Sequence, residues 1–172
     1  MTAQALSLTE FLSCGALPGL ADRRMSTDDA IATLPASLPD GVELRVTDAA
    51  RLRTRRALFT EFARIWTFPD YFGNNADAFD ECMRDLDEFA RDAGRPTPTG
   101  YLTVITGAQR LLTSTQEFAW FADSIAFYRD HYRDVASPPA PFAVLLTAPE
   151  AARPEVVDRW GSVGMPPVSV SV

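Results

Sequence analysis

The chain has 172 residues, a net charge of -7 at neutral pH and 47% hydrophobic residues, about one domain's length with enough apolar material for a core. That composition argues against wholesale disorder, and the acidic balance opposes binding to nucleic acid, whose phosphates require a basic surface. All sixteen basic residues are Arg, as expected of a high-GC bacterial genome, and Asn occurs only as the adjacent pair Asn74 and Asn75.

Residues 1–40 read as an N-terminal extension with short helices. Ser7-Leu8-Thr9-Glu10 has the spacing of a capping box, and Gly15 stops that turn. A second short helix follows Thr27-Asp28-Asp29 and ends by Pro35. The turn Pro39-Asp40-Gly41 opens the regular domain, residues 41–148. Val42 to Val46 alternates apolar and polar residues as a half-buried strand does. Leu52 to Trp66 has helical spacing, with Gly73 in the loop that follows and a third helix predicted over Ala76 to Arg91. A strand over Tyr101 to Thr106, a long helix over Thr113 to Arg133 and a buried strand over Phe142 to Leu146 complete the domain. Residues 149–172 read as a C-terminal tail with a short helix near Val156 to Trp160 and an alternating run at Val168 to Val172. Helical crossovers between short strands predict an α/β fold with a small parallel sheet.

Residues 68–92 hold eight acids against two arginines, six of the seven net negative charges. Phe79, Cys82, Met83, Leu86 and Ala90 fall on one helical face and are the expected buried side. Asp77, Glu81, Asp85 and Glu88 fall on the other, where like charges four residues apart weaken an isolated helix. Asn75 is placed to cap the helix, Asp77 to sit in its first turn, and Gly73 to supply a positive φ at the entry.

The run from Phe68 through Met83, with Tyr71-Phe72-Gly73-Asn74-Asn75 ahead of Asp77-Ala78, resembles the signature of the barstar family of ribonuclease inhibitors. The resemblance covers residues 42 to 148 in element order. It implies a three-stranded parallel sheet packed by helices, flanked here by N- and C-terminal extensions. It also implies inhibition by charge mimicry: carboxylates occupying the points where a ribonuclease holds the scissile phosphate. Tyr71, Phe72, Gly73, Asn75, Ala76, Asp77, Asp80 and Glu81 are the implied partner-binding residues, with Asp77 and Glu81 as the anionic pair. The implied partner is a basic extracellular-type ribonuclease or related toxin, bound one to one. Glu81 stands where the family's best-known member has Asp, Ala76 where it has a larger apolar residue, and Asp80 where it has a tryptophan. An interaction module for a different basic protein or toxin is therefore the alternative.

No catalytic residues, metal or cofactor are expected. One histidine, His131, cannot supply a triad elsewhere or a multi-His metal site, and the sequence shows no phosphate-cradling glycine loop and no second carboxylate cluster. A carboxylate enzyme built on Asp77, Asp80, Glu81 and Asp85 is the rival reading. The cluster Arg51, Arg53, Arg55 and Arg56 reads as a solvated or ion-paired face, and Trp66, Trp120 and Trp160 as core. Two cysteines are too few for a disulfide framework, Glu10 interrupts the only candidate signal sequence, and no run nears the ~20 apolar residues of a membrane span. A cytoplasmic protein that contacts no membrane is the expectation.

Overall fold

The structure, a computed structural model, describes residues 4–172. In chain order the elements are β1 (Leu6–Ser7), α1 (Leu8–Cys14), β2 (Gly19–Ala21), α2 (Thr27–Thr33), β3 (Val42–Asp48) and α3 (Arg55–Ile65). There follow α4 (Ala76–Arg84), α5 (Leu86–Asp92), β4 (Gly100–Thr106), α6 (Thr115–Asp134), β5 (Phe142–Leu146), α7 (Arg153–Ser162) and β6 (Val168–Ser171). The strands form one sheet in the order β1-β6-β2-β5-β4-β3, and every pair in it is parallel.

The sheet corrects the expectation of three strands. Six are present, and three of them come from the segments read as extension and tail. Gly19–Ala21 lies between β6 and β5, so residues before 41 enter the middle of the sheet. A three-residue strand buried at every position shows no alternation, which is why the pattern missed it.

Both faces are covered. Along β4 and β5 successive side chains go to opposite sides. Tyr101, Ile105, Phe142, Val144 and Leu146 meet the helices α3 to α7, while Leu102, Val104, Ala143 and Leu145 meet Phe11, Leu12, Ala30 and Leu34 of the α1 and α2 side. The chain travels on the α1/α2 side from β1 to β3 and on the other side from β3 to β6. Those two courses diverge between the adjacent strands β2 and β5.

The third predicted helix is two helices. The main-chain N–H of Leu86 donates to the Tyr132 hydroxyl (3.1 Å), which donates to the Met83 carbonyl (2.6 Å). A side chain inserted into the ladder breaks the helix at Asp85. The predicted inner face survives the break: Phe79, Cys82, Met83, Leu86 and Ala90 are all buried.

Candidate functional site: the loop before α4 and its outer face

α4 is held by one aromatic anchor. Phe79 is fully buried against Phe59 (centroids 5.0 Å), Phe62 (5.6 Å), Trp120 (5.8 Å) and Phe68 (6.0 Å). Truncating such a ring costs ~3–5 kcal/mol. Cys82 lies on the same inner face, and burial pushes its thiol up to about 11, so it stays an unreactive thiol at neutral pH.

The entry to α4 is built from Asn75, whose side-chain oxygen accepts from the Ala78 N–H at 2.9 Å. The left-handed residue of the loop is Asn74, at φ 51°, and not Gly73 as the sequence pattern implied. A Cβ at Gly73 would lie 3.0 Å from Nδ2 of the capping Asn75 side chain, which would have to shift slightly to admit it.

Of the eight expected binding residues, five are exposed and three are half-buried. Gly73, Asn75, Asp77 and Glu81 are exposed, and Tyr71 is 82% exposed. Asp77 and Glu81 lie one turn apart, about 6 Å along the helix axis. Neither makes a hydrogen bond or ion pair with any described residue. Phe72 packs edge-on against Phe68 (5.1 Å) and Phe59 (6.4 Å), and Ala76 is half-buried against the same cluster. Asp80 accepts a hydrogen bond from the buried Tyr128 hydroxyl, and burial and that carboxylate push the Tyr128 pKa up.

The rest of the acidic stretch divides in the same way. Asp87 is buried and pairs with Arg91 at 3.3 Å, and Arg91 also approaches Glu88 at 3.9 Å. Burial raises the Asp85 carboxyl above its ordinary value, with Glu88 adding to the shift. The unpaired charge of the face is therefore concentrated on Asp70, Asp77, Glu81 and Asp92, all exposed.

Sequence reasoning missed the borders of this face. Arg55 lies over the Trp120 ring (5.6 Å) and Arg84 over Phe127 (5.9 Å), which is 52% exposed beside α4. Arg55 and Arg56 flank a hollow of about 480 Å³ shared with Phe59, Asn74, Asn75, Ala76 and Glu117. Two members of the arginine cluster thus border the loop, a position that helical spacing within α3 could not reveal. His131 is half-buried, its Nε2 3.2 Å from the Arg84 carbonyl. Trp66 and Trp160 are buried and Trp120 packs on the core. No group of three His, Cys, Asp or Glu side chains among the described residues is arranged to hold a metal.

The family described as Barstar (barnase inhibitor) matches residues 42–147, more than half of the chain. No curated protein matches. Among solved structures the chain is similar to the Aeropyrum pernix ORC2 protein in its ADPNP-ADP complexes, at 12% identity and a TM-score of 0.54, over 100% of this chain and 50% of that one. It is also similar to a chain of Drosophila ORC bound to AT-rich DNA and Cdc6, at 14% identity and a TM-score of 0.53, over 95% of this chain and 27% of that one. The chain thus spans half or less of those proteins, and at such identity the likeness is one of fold.

Proposed function

This chain belongs to the barstar family, and from that membership we propose that it is a proteinaceous inhibitor that binds the active site of a basic ribonuclease through α4 and the loop before it. The observation that carries this reading is the pair Asp77 and Glu81, exposed on successive turns with no partner among the described residues. Two carboxylates that repel each other along the helix and pair with no side chain among the described residues are suited to meet cations on another molecule. Tyr71 and the capped, preorganised loop around Asn75 would flank them, so that little ordering is required on association.

The mechanism is occupation rather than catalysis, with one inhibitor per enzyme. Guanidinium, ammonium and imidazolium groups that hold a scissile phosphate would pair with Asp77 and Glu81, and substrate would be excluded. The net charge of -7 would speed encounter with a basic target. The protein would act in the cytoplasm, as an antitoxin or immunity protein; no helix among the described residues is long and apolar enough to cross a membrane.

A second reading keeps the fold and changes the target to another basic protein or toxin. Asp80 is committed to Tyr128 and Ala76 is half-buried, so the face lacks the aromatic contact that the family's best-known member offers there. The two readings separate on one experiment: inhibition of RNA cleavage measured for a set of basic microbial ribonucleases. Stoichiometric inhibition of one of them that is lost in Asp77→Ala supports the first. Binding to a basic protein without nuclease activity, lost in the same variant, supports the second.

A further inference from the structure

The divergence of the chain between β2 and β5 leaves a crevice at the carboxyl ends of the strands. In open parallel sheets this is where ligands bind, because neighbouring loops leave toward opposite faces. A cavity of about 280 Å³ occupies that position here. Its walls come from the segments after β2 (Arg24, Thr27), after β4 (Gln109, Arg110) and after β5 (Thr147), together with Asp48 at the end of β3. None of these residues belongs to α4 or its loop.

The wall chemistry is that of a site for an anion bearing hydroxyl groups. Arg24 is exposed and has no carboxylate partner among the described residues. Arg110 pairs with Asp48 at 2.8 Å, half-exposed, and its guanidinium lies where a Cβ on Gly107 (φ 62°) would be, 2.4 Å from Nη2. Glycine at that position lets the arginine lie back across the turn at the cavity's edge. The Thr27 and Thr106 hydroxyls pair at 2.9 Å, and Thr147 donates to the Met25 carbonyl at 3.0 Å, which ties the segment after β2 to the ends of β4 and β5. Gln109 makes no hydrogen bond to any described residue, and its buried Oε1 has no partner. An unsatisfied carboxamide oxygen beneath the wall is costly, and rotation of the side chain toward the cavity would let a ligand satisfy it. The Ser26 N–H donates to the Asp29 carboxylate and its hydroxyl accepts from the Asp29 N–H, which leaves the hydroxyl's own proton to donate.

We propose that this crevice binds a sugar phosphate, free or as part of a nucleotide, with Arg24 and Arg110 on the phosphoryl group and Gln109 turned to a sugar hydroxyl. Guanidinium forks suit phosphate oxygens, and a carboxamide can serve a hydroxyl as either donor or acceptor.

Calorimetric titration of the whole chain with ribose 5-phosphate, adenosine monophosphate, inorganic phosphate and sulfate tests the assignment. Expected is binding of at least one of the first two, weakened about tenfold or more in Arg24→Gln through loss of a charge-assisted bond. Gln109→Leu would weaken those two and leave inorganic phosphate unchanged. Adenosine monophosphate alone would identify a nucleotide, and ribose 5-phosphate alone a free sugar phosphate. Arg24 is exposed, so its substitution leaves folding intact, checked by an unchanged urea midpoint. The proposal is overturned if neither sugar phosphate binds, if sulfate or inorganic phosphate binds as well as both, or if Arg24→Gln binds as the parent does. Ribonuclease inhibition followed in the same Arg24→Gln protein separates this crevice from α4, because it should not change.

Discussion

Glu61 on α3 and the pair Asp77 and Glu81 on α4 lie on helices that cover the same side of the sheet, yet their surroundings are opposite. Glu61 is buried and accepts from the Thr47 hydroxyl (2.8 Å) and from Arg64 at Nε (2.9 Å) and Nη2 (2.6 Å). Those bonds, led by the Arg64 contact, hold its carboxyl below the ordinary value of 4.5 despite burial. Asp77 and Glu81 have no such partners. One carboxylate is used by the fold; the other two are left free by it. The comparison teaches that the acidic character of this chain has two sources, and that only the unsatisfied one is available to a partner.

The largest expected effect lies on the free pair. Asp77→Ala and Glu81→Ala should each weaken binding of the target ribonuclease by about 2–5 kcal/mol, a range that includes complexes of this family. Their unfolding free energies from urea titration should stay within the ~0.5 kcal/mol usual for surface changes. Loss of stability without loss of binding would reverse the comparison. Asp80 is the intermediate case. Asp80→Ala strands the buried Tyr128 hydroxyl and should cost ~1–3 kcal/mol of stability by denaturant titration, against a small change in inhibition per folded molecule. Paired truncation, Asp80→Ala with Tyr128→Phe, should recover part of that loss.

Smaller effects sharpen the contrast through pH and salt. Glu61 has a lowered pKa in the folded chain, so its stabilisation is present above about 4.5 and is lost as pH falls through the lowered value. A urea midpoint followed from pH 7 to pH 3 should therefore fall more steeply in the parent than in Glu61→Gln. Asp85 works in the other sense: burial raises its pKa, so its ionisation costs stability that is recovered as pH falls. Added salt should slow association with a basic partner by screening, and leave dissociation nearly unchanged. A salt-independent association rate would show that the charge on α4 does not steer encounter.

What the sequence disclosed, and what it withheld, follows the range of the interactions. The inward face of Phe79, Cys82 and Met83 is marked by their spacing of three and four residues, and the Asn75 cap reaches only as far as Ala78, so both are legible. The division at Asp85 depends on Tyr132, 46 positions from Leu86, and no periodicity within the helix announces it. The family pattern assigns Asp80 to the partner-binding set, and nothing local contradicts it, because the residue it bonds, Tyr128, lies 48 positions along the chain. β1 and β2 hold two and three residues, too few for any pattern, and they become strands only because β6 and β5 present parallel edges to them. Phe72 and Ala76 were assigned outward from the family motif, whereas the aromatic cluster of Phe59, Phe68 and Phe79 draws both in.

The most direct test of the account is calorimetric titration of this protein into basic microbial ribonucleases with RNA cleavage followed in parallel, repeated with Asp77→Ala. The account predicts tight one-to-one binding to a member of the set, loss of its cleavage, and a loss of affinity in the variant with stability unchanged. Inhibition equal in the parent and in both Asp77→Ala and Glu81→Ala would contradict it.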